Sequence, residues 1–169
     1  MEHDLRELLE TMTGADFPVE LHPSRLVEIS LAVPHSIAAL PASYGQPLED
    51  FNCVMYALDL VGMIDDPSGR PFGMFYADTL FLSSLIETGR LAPTVESKGA
   101  LAVWSDNGHV KHIGVITNAG RAASKWGIGH LYEHGLFELP KSYGDEIAFY
   151  EPLDSEPAFE LLCRHCGVK

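Results

Sequence analysis

One cysteine in the chain stands where nucleophilic chemistry is easiest to build. In Asp50-Phe51-Asn52-Cys53-Val54-Met55-Tyr56-Ala57-Leu58 a polar turn becomes an apolar helix. Asn52 is a good N-cap, Val54, Ala57, Leu58 and Val61 recur at helical spacing, and Gly62 offers a stop. Cys53 then falls in the first turn, where unpaired backbone N–H groups and the positive end of the helix dipole favour a thiolate. A thiolate at neutral pH attacks carbonyl carbon. The plainer alternative is a small apolar residue packed beneath the helix. What gives the nucleophile weight is His112, an imidazole further along the chain that can protonate a leaving group. A histidine inside an apolar strand is also commonly a satisfied packing residue. Gly114, two residues on, leaves that face of the strand bare, which suits close approach by another element.

The elements that must bring these groups together follow from the pattern of apolar residues. Leu5, Leu8, Leu9 and Met12 share one face of a first helix that Gly14 ends. Between Pro18 and Val33 the chain reads as a helix opened by Pro23, although Ile29, Leu31 and Val33 also alternate like a strand. Pro34 to Asp50 reads as an ordered loop, and Phe75, Thr79, Leu82 and Ile86 mark a further helix stopped at Gly89. Beyond the polar connection Pro93 to Lys98, at Gly99, the period changes to alternation, and Asn107-Gly108 is a strong hairpin signal. A two-residue turn there sets Asp106 opposite His109 and His112 opposite Val103. A three-residue loop at Asn118-Ala119-Gly120 pairs Thr117 with Arg121, so Trp126 faces His112 and Ser124 faces Gly114 on one side of a sheet. A loop one residue longer or shorter would bring Lys125 to that side. Gly127 to Gly135 reads as a connection, Ile147 to Tyr150 as a strand, and Glu156 to Cys163 as a C-terminal helix.

Three stretches together resemble the NlpC type of papain-like cysteine hydrolases, the bacterial cell-wall endopeptidase superfamily. Tyr44-Gly45-Gln46-Pro47 running into Asp50-Phe51-Asn52-Cys53 is similar to their tyrosine loop and nucleophile helix. Gly99 to Trp104 resembles their first strand, and His112-Ile113-Gly114-Val115-Ile116 their histidine strand. The resemblance spans about residues 44 to 150. It implies an α+β fold in one domain, with a helical N-terminal extension over residues 1–43, the nucleophile helix packed on an antiparallel β-meander, and a helix and tail over 154–169. It implies cleavage of an amide bond through a thioester, with Cys53 as nucleophile, His112 as acid/base and Ser124 at the third position. Lys125 or His134 is the alternative third residue. The Cys53 N–H would form half of an oxyanion hole, with Tyr44 first and Gln46 second as the other donor. Asn52 and Trp126 complete the expected substrate contacts. Asn52 stands where the family has Asp, Val54-Met55 where it has Ser-Gly, and Ser124 orients an imidazole less well than the usual His, Asn or Gln. The chain also resembles a set of bacterial proteins with an Asn-Cys-x-x-Tyr-Ala-Leu helix followed by Ser124-Lys125-Trp126-Gly127, Glu133-His134 and Tyr143-Gly144.

Composition bounds the rest. At 169 residues, with 46% hydrophobic and 21% charged residues, the chain fits a single globular domain. A formal charge of −13 without a Lys/Arg cluster disfavours a nucleic-acid partner. No apolar run is long enough for a membrane span, and the acidic amphipathic start does not read as a cleavable signal. Three cysteines suit a reducing compartment, so synthesis in the cytoplasm is expected, with export only by a signal-independent route. His109 and His112 with Cys163, His165 and Cys166 contain metal-ligand types, but positions three apart on a strand face opposite sides, so no metal or other cofactor is expected. The expected partners are a peptide or protein amide substrate and a cognate inhibitor or delivery partner. The same pair could transfer the acyl group to an amine, and a catalytically inactive interaction module could keep the fold without the chemistry.

Overall fold

Residues 4–13, 17–41, 51–63, 77–127 and 129–167 are described by the computed structural model, and among them the chain forms a mixed α+β fold of five α-helices and a seven-stranded antiparallel sheet. The N-terminal helix α1 (Leu5–Glu10) starts on Asp4, whose carboxylate accepts from the Arg6 N–H, and it buries Leu9. Helix α2 (His22–Ala32) carries Pro23 in its first turn and buries Leu26 and Ile29. Val33 leaves it in an extended conformation while Leu31 stays exposed, so the helical reading of this stretch holds over the alternating one.

Helix α3 (Cys53–Ala57) is shorter than its sequence suggests. Asp59 adopts φ 52°, the Leu60 N–H reaches back to the Met55 carbonyl and the Asp59 N–H to that of Tyr56. This left-handed termination stops the helix well before Gly62, because an aspartate tolerates the conformation that glycine usually supplies. Helix α4 (Thr79–Glu87) is capped by Asp78, which accepts from the Phe81 N–H, and Gly89 follows its end at φ 68°.

The strands are β1 (Ala38–Leu40), β2 (Pro93–Thr94), β3 (Leu101–Asp106), β4 (His109–Asn118), β5 (Arg121–Lys125), β6 (Leu131–Gly135) and β7 (Glu146–Tyr150). They lie in the order β1-β6-β5-β4-β3-β7-β2, a central meander with β7 returned beside β3. Helix α5 (Ser155–His165) closes the described chain. Three of these strands correct the sequence reading. β1 falls inside a stretch read as loop, β2 in a polar connection, and β6 in what was expected to be a connection through His134. With Glu133 and His134 among its residues, β6 lacks the apolar alternation by which strands are read.

Two bulges set the register that matters. Asn107 and Gly108 both take positive φ, 50° and 75°, and pair Asp106 with His109 as expected. The register then shifts between Trp104 and Ser105, so His112 lies opposite Trp104, not Val103. The bulge inserts one residue in β4 and moves every partner beyond it by one. At the next hairpin Asn118, not Thr117, pairs with Arg121, and a second shift returns Ile116 to Ala122 and Val115 to Ala123. A two-residue turn plus a bulge thus reproduces the register of the expected three-residue loop, and Ser124 comes beside Gly114.

The sheet separates two cores. Leu101, Val103 and Ile113 pack on one side against Phe51, Val54, Leu58, Phe81, Leu82 and Leu162, the apolar faces of α3, α4 and α5. Ala102, Trp104, Ile116, Ala122 and Tyr132 pack on the other with Leu9, Leu26 and Ile29 of α1 and α2. Gly114 allows β5 to close on the second side: a Cβ there would lie 2.6 Å from the Ala123 carbonyl oxygen and 2.9 Å from the Ser124 Cβ. Gly114→Ala is therefore expected to destabilise the fold by about 2 kcal/mol, as overpacking does. Urea denaturation of the two proteins measures it, and equal midpoints would show that the strands separate without cost.

Candidate functional site

Asn52 fixes the start of α3 twice over. Its Oδ1 accepts the Met55 N–H at 3.0 Å and its Nδ2 donates to the Ala77 carbonyl at 2.6 Å, which ties α3 to the residue before the α4 cap. Cys53 follows, half-buried and packed against the α3–α5 side of the sheet. The N–H groups of Ile113, Val54 and Cys53 and the Lys125 ammonium favour its thiolate, yet burial outweighs them and pushes the thiol above its ordinary range. The expected lowering is thereby corrected. A five-residue helix brings few aligned peptide dipoles to bear, and the apolar packing around the sulfur opposes charge more strongly.

His112 belongs to the opposite side of the sheet. Its ring is buried 5.6 Å from that of Trp104 and stacks on Tyr143 with centroids 4.0 Å apart at 11°. Burial, with a smaller contribution from His134, holds the imidazole neutral well below its usual titration range. Its Nε2 is buried without a hydrogen-bond partner among the described residues. Such an atom costs roughly 1–3 kcal/mol to leave unsatisfied.

Both groups line one opening where β4 and β5 part. Val115 and Ala123 are the last paired residues of that ladder on this side, and beyond them the Ile113 N–H turns to the Cys53 sulfur. A cleft of about 270 Å³ opens there, lined by Asn52, Cys53, Val54, Asp78, Thr79, Lys111, His112, Gly127 and Tyr143. Cys53 enters it from the α3 side and His112 from the Trp104 side. No hydrogen bond joins the sulfur to the imidazole among the described residues.

The other expected residues fall into three groups. Ser124 sits on the His112 side, fully buried, but its hydroxyl is engaged by His134 Nε2 at 2.8 Å and by the Trp126 indole N–H at 3.1 Å. His134 Nδ1 meets the Gly135 carbonyl at 2.8 Å, which makes Nδ1 the donor and Nε2 the acceptor of the Ser124 hydroxyl. Ser124, Trp126 and His134 therefore form a satisfied buried relay beside His112. Lys125 is fully buried on the Cys53 side; its Nζ donates to the Gly127 carbonyl at 2.6 Å and lies 5.1 Å from the Phe51 ring centroid. Tyr44 and Gln46 lie outside the described residues.

Val54, Asp78, Thr79, Lys111, Gly127 and Tyr143 line the cleft beyond the expected site residues, and of these Tyr143 stacks on the His112 ring. Tyr143 lies in the short 3₁₀ helix Lys141–Tyr143, and the Tyr-Gly pair at its end is the only signal the sequence offers. Among the described residues no three His, Cys, Asp or Glu side chains are grouped so as to hold a metal ion, and no helix is long and apolar enough to cross a membrane. Comparison with protein-family models, with curated proteins and with solved structures finds no match to this chain.

The buried histidines make stability depend on pH. His134 is lowered to about 4 and His112 also lies below its ordinary 6.5. The unfolded chain therefore binds more protons than the folded one between these values. Stability is fully present above about pH 6.5 and falls as the pH drops through about 4, each unit of separation being worth about 1.4 kcal/mol. Denaturation at pH 7 and pH 4.5 is expected to differ less in His134→Gln than in the wild type. Equal losses in the two proteins would contradict this origin.

Proposed function

We propose that this protein is a papain-like cysteine hydrolase of the NlpC type that cleaves an amide bond through a thioester intermediate. The observation that supports the reading is one cleft lined both by the Cys53 thiol at a helix start and by His112, whose buried Nε2 has no hydrogen-bond partner among the described residues. A lone cysteine would mean little. A buried imidazole nitrogen with no partner among the described residues, on a residue lining the same cleft, leaves a proton acceptor uncommitted there.

Burial keeps both groups neutral at rest, so the chemistry starts from a thiol and an imidazole. As Sγ bonds to the carbonyl carbon, the thiol proton passes to His112 Nε2 and the carbonyl π pair moves onto oxygen. Collapse breaks the C–N bond, and the departing amine takes the proton from His112. Water then adds to the thioester, giving a proton to the same nitrogen, and the C–S bond breaks to release the acid and restore the thiol. In this reading the imidazole plane is held by the Tyr143 and Trp104 rings, because the Ser124 hydroxyl is engaged elsewhere. An amine in place of water would make the same residues an acyltransferase.

A second reading, a papain-like interaction module without activity, is favoured by the raised thiol and by the lack of a hydrogen bond between Cys53 and His112. The test is turnover of a mixed peptide library and of cell-wall peptides, followed by mass spectrometry in wild type, Cys53→Ala and His112→Ala. New amine and carboxylate termini are expected with wild type only, with losses of at least about 100-fold in either variant. Identical products from wild type and Cys53→Ala would leave the module as the better reading.

A further inference from the structure

Tyr143 reaches the cleft from a loop that α1 holds in place. The Arg6 Nε donates to the Leu139 carbonyl at 3.2 Å and its Nη2 to the Gly144 carbonyl at 2.6 Å, while Nη1 pairs with the Asp145 carboxylate. Glu10 accepts the Ser142 N–H at 2.9 Å. Gly144 leaves the short helix at φ 106°, and a Cβ there would lie 2.3 Å from the Ser105 carbonyl oxygen, so the backbone is seated directly against β3. Glycine alone fits that position. With the loop pinned from α1 and from β3, the tyrosine ring has a fixed place on the His112 ring.

Its hydroxyl end has the partners of a donor. Burial holds the phenol protonated far above neutral pH, and the nearby Cys53 sulfur would oppose a phenolate further were it ionised. The Gly127 N–H approaches the phenolic oxygen. With a backbone N–H on the oxygen, the O–H proton is free to be given to a third group in the cleft.

We propose that Tyr143 is a catalytic residue, whose hydroxyl, placed beside Cys53 by its stack on His112, hydrogen-bonds the carbonyl oxygen of the acyl group while Cys53 attacks. This rests on the hydrolase reading above. The S–C bond forms, the π pair moves onto oxygen, and that oxygen takes the Tyr143 hydrogen bond without taking the proton; the thiol proton goes to His112 Nε2. Collapse returns the pair to the carbonyl and expels the leaving group with its bonding electrons and the proton from His112. A preorganised donor of this kind acts on charge that exists only in the transition state. Arg6 is then a positioning residue, acting through the loop.

The full chain can be tested with two reagents that differ in whether an oxyanion forms. p-Nitrophenyl acetate acylates sulfur through a tetrahedral oxyanion, whereas iodoacetamide alkylates it by direct displacement, and both adducts at Cys53 are read by peptide mass spectrometry. Tyr143→Phe keeps the ring and is expected to slow acetylation of Cys53 about 100-fold, leaving alkylation unchanged. Arg6→Lys keeps the hydroxyl but loosens the fork that fixes the loop, so a smaller loss confined to acetylation is expected. Acetylation at the wild-type rate in Tyr143→Phe, or an equal fall of both reactions in both variants, overturns the proposal. Acetylation of the wild-type chain that does not occur at Cys53 overturns the hydrolase reading and this one with it.

Discussion

β4 serves two cores at once, and the rest of the molecule is arranged around that constraint. Ile113 points to the side covered by α3, α4 and α5, while His112 beside it points to the side covered by α1 and α2. Strand geometry allows no other distribution. A thiol borne on α3 and an imidazole borne on β4 therefore come from opposite sides of the sheet. They share a cavity only because the β4–β5 ladder ends near Gly114 and the chain leaves β5 at Lys125. The cleft is a product of that parting, and the two bulges that set the register of β4 decide which side chains face it.

Burial then governs the electrostatics. The same packing that fixes Cys53 and His112 disfavours charge on either, raising the thiol and lowering the imidazole. A standing thiolate–imidazolium pair is the arrangement a more hydrated site would favour. In the proposed mechanism proton transfer therefore belongs to the reaction step, and a donor that meets charge only as it develops becomes correspondingly important. Beside this the Trp126–Ser124–His134–Gly135 relay is complete in its hydrogen bonds. It supports the His112 side of the sheet as a rigid, fully satisfied polar core.

Much of this framework can be read in the sequence, for identifiable reasons. Asn52 before an apolar helical pattern, Asn107-Gly108 between alternating runs, and Gly114 in the histidine strand each carry a local physical signature, and each appears in the structure as cap, turn and close approach. The end of α3 at Asp59 and the shift at Trp104 and Ser105 carry none, since an aspartate in the left-handed region and an inserted strand residue are tolerated without a distinctive residue type. β1 and β6 pair with one another across a long sequence separation, and no local pattern specifies that contact. The raised Cys53 thiol carries no local signal either, because the helix start is local whereas the packing around the sulfur is tertiary. The place of Tyr143 on His112 is tertiary as well, since it depends on Arg6, far away in the chain.

The proposed chemistry needs the Cys53 sulfur and His112 Nε2 to face each other across the cleft that both residues line. Nitrogen-15 spectra of the histidine side chains, recorded before and after methylthiolation of Cys53, test it most directly. A neutral His112 at pH 7 is expected, with its Nε2 resonance displaced when the sulfur is capped. Both His112 ring nitrogens unmoved in a fully capped, folded protein would show that sulfur and imidazole do not face each other.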